Sequence, residues 1–151
     1  MDLSTAIKHA IDGTAVLFLG SGASAGARPL AGDKFLTGRE LAVALSGPAG
    51  LNPASEDLNF AAQRYRKVVG DSKLIELLQG YFSVSEVSES HRRLSEIPWH
   101  GLYTTNYDNV LERAFADRKR KLVPITPDQD TKDHTRQSNT LLHINGYIDT
   151  L

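Results

Sequence analysis

The chain has 151 residues, 40% of them hydrophobic, a formal net charge of -1 and no cysteine. That length fits one domain with a real core, and the near-zero charge gives no electrostatic case for binding nucleic acid or an anionic membrane. Disulfides and thiolate zinc sites are excluded within these residues, so a reducing cytosol is the natural setting. The N-terminus lacks a cationic start with an apolar signal core, and no apolar run approaches the ~20 residues that span a bilayer. The sequence therefore reads as soluble and cytoplasmic.

In chain order, residues 3–12 read as a short helix, with Leu3, Ile7 and Ile11 on one face and Gly13 as its stop. Ala15 to Leu19 is a continuous apolar run ended by glycine, which suits a strand buried on both faces of a parallel sheet. Residues 27–37 carry Pro29, Gly32 and Asp33 and read as a loop. Thr37 is placed to cap a helix holding Leu41, Ala44 and Leu45. Ser55 is expected to cap a helix running to Val69, and Asp71 another with Leu74, Ile75, Leu77 and Leu78 on one side. A further helix over 88–96 ends before Pro98.

Residues 101–105 read as a strand and 107–118 as a helix carrying Val110, Leu111, Ala114 and Phe115. The basic run Arg118 to Lys121 follows it and reads as a solvated helix end. Lys121 to Ile125 is a short strand, near an edge because of Pro124. Polar residues 126–138 form a loop, and Thr140 to Ile144 is the last strand. Strands alternating with helices predict an α/β fold with a Rossmann-like parallel sheet and flanking helices. The fourth strand begins near the end of the chain. Residues 1–151 are thus expected to be the N-terminal portion of a larger domain, or a compact reduced version of one.

Three motifs carry chemistry. Gly20-Ser21-Gly22-Ala23-Ser24-Ala25 follows the first strand in the G-x-G-x-x-A form, where glycines let the backbone approach a pyrophosphate and free N–H groups meet its charge. Alternatively, it is a tight strand-to-loop turn of small residues. Thr104-Thr105-Asn106-Tyr107-Asp108 puts polar groups at a strand's carboxyl end, the edge that faces the ligand crevice in open parallel sheets. Asn106 offers both a donor and an acceptor, enough to hold a water near an electrophilic carbon. Asp108 either caps the helix beginning near Tyr107 or fixes the loop that positions Asn106. His143 ends the last strand, with Gly146 three residues later. Of the remaining histidines, His9 and His134 read as solvated, His91 as a cap or packing residue at a helix start, and His100 as lying at the far end of the Asn106 strand.

In this order the three motifs resemble the NAD-consuming core of the sirtuin family. Over residues 14–149 the chain is similar to the sirtuin-like domain of bacterial defence proteins, which act as NAD hydrolases, and less so to the protein-deacylating sirtuins. The resemblance implies that Gly20, Ser21, Gly22, Ala23 and Ser24 line the diphosphate and ribose. It places Asn106 and Asp108 beside the nicotinamide ribose, with Thr105 among the cofactor-binding residues. It makes His143 the general base that engages the ribose hydroxyls. Deacylases carry Gln where Thr105 stands and Asp-Phe-Arg where this chain has Arg28-Pro29-Leu30. They have His-Gly directly, whereas Ile144 and Asn145 intervene here.

The expected function is NAD glycohydrolysis as an effector of anti-phage defence. NAD is the substrate and partner, no metal is required, and completion is expected by a homo-oligomer or by domains beyond residue 151. An NAD-dependent deacylase or ADP-ribosyltransferase, and a non-catalytic nucleotide-sensing or assembly module, are the alternatives.

Overall fold

The computed structural model describes residues 2–128 and 139–150. His134 and most of the polar loop expected over 126–138 lie outside the described residues. The chain opens with α1 (Leu3–Ile11), whose first turn is held by Asp2 accepting the Thr5 N–H at 2.7 Å. β1 (Val16–Leu19) leads into a one-turn 3-10 helix, Ser21–Ser24, and then a two-residue strand, β2 (Arg28–Pro29). Three helices follow: α2 (Gly38–Ser46), α3 (Leu58–Val68) and α4 (Asp71–Phe82). β3 (Val84–Glu86) returns antiparallel to β2. Then come α5 (Glu89–Leu94), β4 (Gly101–Thr104), α6 (Val110–Asp117), β5 (Val123–Ile125) and β6 (Thr140–His143), with a closing 3-10 turn at Ile148–Thr150.

The four strands expected from the sequence form one parallel sheet in the order β1-β4-β6-β5. This is the α/β, Rossmann-like architecture that the alternation of elements predicts. Pro124 lies on β5, at the edge, where its missing N–H breaks no interior ladder. Because the strands are parallel, the ends of β1, β4 and β6 reach the same side of the sheet. The register pairs Leu19 with Thr104 and Thr104 with His143.

Several boundaries differ from the sequence reading. The helix expected from Ser55 is capped by Asp57, which accepts the Phe60 N–H at 3.1 Å; Ser55 accepts the Asp57 N–H one turn earlier. Asp71 is the first residue of α4 rather than its cap. Gly70 takes that place at φ 109°, and Asp71 is held by Arg66 at 2.5 Å. β2 lies in the stretch 27–37 read as loop, because two residues carry no periodicity, and β3 falls between two expected helices, where the sequence marks no element. The helix expected from 107 starts at Val110. Thr37 caps as expected, in a reciprocal capping box with Glu40.

The basic run is more than a solvated end. Arg118 reaches Glu96 at 2.9 Å and Glu89 at 3.0 Å. The Arg120 guanidinium lies 5.0 Å from the centre of the Phe115 ring and also donates to the Ser95 carbonyl. These contacts fasten the end of α6 to α5.

One face of the sheet carries the core: Leu102 and Leu141 pack with Leu111, Phe115 and Leu122, flanked by Leu17, Leu19, Leu94 and Trp99. On the other face Val16 and Phe18 remain exposed, Phe18 at 61%. Leu3, Ile7 and Ile11 of α1 are also exposed. Helices α2 to α4 form a second core around Leu41, Leu45, Ala61 and Tyr65. This helical insertion stands between β1 and β4 in the sequence, and the β2–β3 pair closes its neck.

The uneven burial sets a stability contrast. Phe115 is 1% exposed, so Phe115→Ala should destabilise the fold by about 3–5 kcal/mol through lost burial and the cavity left behind. Ile7 is 51% exposed, and Ile7→Ala should change stability by no more than about 0.5 kcal/mol. Urea unfolding of the two variants measures the difference, and equal losses would contradict the assigned core.

Candidate active site

The site is built where β1 and β4 end. After Leu19 the backbone turns into the 3-10 helix Ser21–Ser24, closed by the Ala23 N–H donating to the Gly20 carbonyl at 2.8 Å. The expected glycine loop is therefore present, but it opens a single 3-10 turn and not an α-helix. Its glycines meet no crowding from the chain itself. A Cβ on Gly22 would have no atom within 4 Å, and one on Gly20 would meet Thr105 Oγ1 at an ordinary 3.8 Å. Neither is among the glycines with positive φ. The fold alone does not demand glycine at these positions; the space they leave belongs to whatever enters from outside.

A single hydroxyl ties this turn to the β4 end. Ser24 Oγ donates to Asp108 Oδ2 at 2.5 Å, in the range of strong O–H···carboxylate bonds, and accepts from Asn106 Nδ2 at 2.9 Å. Asn106 Nδ2 also donates to the Gly20 carbonyl at 3.1 Å. A carbonyl only accepts, so the amide orientation of Asn106 is fixed. Both amide hydrogens are then used, and Oδ1 is left as an acceptor with no partner among the described residues. The Asn106 backbone is held by its N–H donating to Thr104 Oγ1 at 3.0 Å.

Asp108 bridges the start of α6 and the glycine turn, while the residue at the N-cap position of α6 is Asn109. Asp108 Oδ1 accepts the Val110 N–H at 3.2 Å at the start of α6, and its Oδ2 takes the Ser24 hydroxyl. Burial is the largest influence on this carboxyl and raises its pKa above the ordinary carboxylate value, against the lowering effect of the Ser24 and Val110 bonds. Thr105 lies beside Asn106 and joins the turn through its N–H, which donates to the Leu19 carbonyl at 3.1 Å.

Beside this cluster opens a cavity of about 650 Å³. Ser21, Ser24, Thr105, Asn106 and Asp108 form its polar wall, and Phe35, Leu41, Leu45, Leu58, Leu74 and Phe82 its apolar one. A mostly apolar cavity with a few converging polar groups is the usual form of a small-molecule site.

His143 sits elsewhere. It is 0% exposed and does not line the cavity. Its Nδ1 lies 2.9 Å from the Asn106 carbonyl, which forces the proton onto Nδ1, and its Nε2 lies 2.8 Å from Glu112 Oε1. Neither nitrogen is free to reach a ribose hydroxyl in this arrangement. Past the end of β6, directly before Gly146, the exposed Asn145 donates to the Thr105 carbonyl at 3.0 Å. Burial is the largest influence on His143 and disfavours its charge, but Glu112, the Asn106 carbonyl and Asp108 together move its pKa upward.

Two residues of this network escaped the sequence reading. Glu112 falls among the apolar positions of α6, where only its spacing four residues after Asp108 hinted at a shared face. His91 reads as a cap, and it is one: its Nδ1 accepts the Ser88 N–H at 3.1 Å. Its other nitrogen must then carry the proton, which it donates to the Ala23 carbonyl at 2.7 Å. His91 thus grips the glycine turn from behind. Of the other histidines, His9 lies 2.8 Å from Thr14 through Nδ1, and His100 precedes β4 at its amino end. No group of three or more His, Asp or Glu side chains is placed to hold a metal among the described residues.

Residues 100–150, which hold the Asn106 and His143 segments, match the SIR2-like domain family. Over that segment the chain is similar to SIR2-like domains. It is also similar to the protein named NAD(+) hydrolase ThsA of Enterococcus faecium, 30% identical over 146 residues. That alignment covers 92% of this chain and 27% of the relative, so the chain spans about a quarter of the relative's length.

Two predictions follow from this geometry. Gly22→Val should melt close to wild type, because the space is open and φ is not positive, yet weaken ADP-ribose binding where the side chain meets the diphosphate. Calorimetric titration beside thermal melting tests it, and unchanged affinity would free the turn of any role in binding. The second concerns Asp108. Between the ordinary carboxylate value and its raised one, the folded chain keeps a proton that the unfolded chain releases, so this group erodes stability as pH rises through that window. Asp108→Asn should therefore gain stability relative to wild type as pH rises from about 4, where a free carboxyl titrates. Denaturation midpoints across pH measure it, and a constant difference would contradict the raised value.

Proposed function

We propose that this domain cleaves NAD at the bond between nicotinamide and ribose, releasing nicotinamide, ADP-ribose and a proton. One observation carries this: the glycine turn and the Asn106–Asp108 segment meet through Ser24 at the mouth of a large cavity, in a chain similar to an NAD hydrolase. The diphosphate would lie over Gly20 to Ser24, with Thr105, Asn106 and Asp108 beside the nicotinamide ribose.

As the C–N bond breaks, its electron pair leaves with nicotinamide and positive charge develops on the ribose. A buried carboxylate at Asp108 stabilises that charge in a site of low dielectric. The free Asn106 Oδ1 accepts a hydrogen from the attacking water and turns its lone pair toward the ribose carbon. The water must lose a proton, and Asp108, with its pKa raised by burial, is the carboxyl at the cavity suited to accept it. His143 contributes by holding the Asn106 carbonyl rather than by touching the ribose.

The sirtuin-like resemblance supports a cytoplasmic role as an effector of anti-phage defence. The exposed apolar faces of α1 and β1 support association with a second copy or with further domains. A second reading draws on the same structure. Because His143 offers no free nitrogen, a module that binds the nucleotide without cleaving it is the alternative, and ADP-ribose binding without nicotinamide release would identify it.

Asn106→Ala should retain ADP-ribose affinity and lose about 10²-fold or more in turnover, the usual loss for one placed catalytic group. Nicotinamide release and calorimetry on the same preparation test it. Weakened binding with unchanged turnover would make Asn106 a binding residue only.

A further inference from the structure

Nothing in the proposed reaction uses Glu112 directly, yet its carboxyl is enclosed against His143. It projects from α6, where Val110, Leu111, Ala114 and Phe115 fill the core. Its Oε1 lies 2.8 Å from His143 Nε2, and its Oε2 is buried without a hydrogen-bond partner among the described residues. Burial raises the carboxyl's pKa, and the nearby Asp108 adds to that. An apolar pair of similar shape would fill this space without desolvating two ionisable groups. What it could not do is partner the Asn106 carbonyl, which needs an N–H at His143 Nδ1.

We propose that Glu112 is a positioning residue of the nucleotide cleft: by holding the orientation of the His143 ring, it fixes the Asn106 backbone and so the aim of Asn106 Oδ1. The chain runs from Glu112 through His143 to the Asn106 carbonyl, each link between 2.8 and 2.9 Å. One proton lies between Oε1 and Nε2. Whether it sits on the carboxyl or on the imidazole, the second ring proton stays on Nδ1, facing the carbonyl. The Tyr147 ring, centred 4.5 Å from that of His143, closes the pair's other side, its phenol held by Asp149 at 2.8 Å. Asn106 is thereby held at three points: its side chain by Ser24 and Gly20, its N–H by Thr104 and its carbonyl by His143.

This rests on the proposed NAD cleavage, and the test separates the two. Glu112→Leu keeps bulk but offers Nε2 nothing; Glu112→Gln can donate its amide N–H to Nε2 and preserve the ring's orientation. Nicotinamide release, ADP-ribose affinity and imidazole nitrogen NMR would be measured on the full chain and both variants. The expected result is Nδ1-protonated His143 throughout, with turnover and the Nδ1–H hydrogen-bond signal similar in wild type and Glu112→Gln, and that signal weakened in Glu112→Leu. Glu112→Leu should also lose up to about 10²-fold in kcat, as a displaced catalytic group does, with affinity for ADP-ribose retained. Wild-type turnover in a folded Glu112→Leu, or equal losses in both variants, would overturn the proposal. If wild type releases no nicotinamide, the functional reading fails, while the NMR comparison still decides whether Glu112 sets His143. If Glu112→Leu does not fold, the wild-type spectrum decides: His143 protonated only on Nε2 would overturn the proposal.

Discussion

The Ser24 hydroxyl is the contact on which the rest of the site depends. It donates to Asp108 and accepts from Asn106, and so joins the turn after β1 to the segment after β4 across more than eighty residues of sequence. Without that hydroxyl, Asp108 would keep the Val110 N–H, and the Asn106 side-chain amide would keep the Gly20 carbonyl. The direction of each bond matters as much as its length. Because Ser24 and Gly20 take both amide hydrogens of Asn106, the atom left for a ligand or water is its oxygen.

Behind this front the fold uses two buried histidines in the same way. His91 donates to the Ala23 carbonyl and holds the glycine turn; His143 donates to the Asn106 carbonyl and holds the β4 end. His91 is kept in the required tautomer by the Ser88 N–H on its second nitrogen, and the second nitrogen of His143 is held by Glu112. The parallel sheet makes the arrangement possible, since only parallel strands bring the ends of β1, β4 and β6 to one side. Its buried side chains gather on one sheet face, within the helical insertion, and around Val84, Val87, Val110 and Ala114.

Much of this was legible in the residues. A continuous apolar run ended by glycine marked β1, short stretches over 101–105, 121–125 and 140–144 marked the other sheet strands, and Pro124 marked the edge. Thr37 with Glu40 three residues on gave a cap with its partner. The illegible parts have physical reasons. A two-residue strand such as β2 has no period. Ser55 and Asp57 both suit a cap, and the choice lies in backbone geometry. His143 ends its strand beside the other motifs, as its position suggests, but strand alternation turns it into the core beside Leu141, while the chain past the strand exposes Asn145. Glu112 carried no signal beyond its spacing from Asp108, because an acidic residue on a short helix ordinarily faces water.

The central claim is that the turn after β1 and the segment after β4 form one nucleotide site. Titrating the isotope-labelled chain with ADP-ribose while following assigned backbone amides tests it most directly. The account predicts shifts concentrated at residues 20–24 and 105–108, with smaller ones along the α2–α4 wall of the cavity. Shifts centred on α1 or the outer face of β1, with the Ser24 and Asn106 amides unmoved, would contradict it.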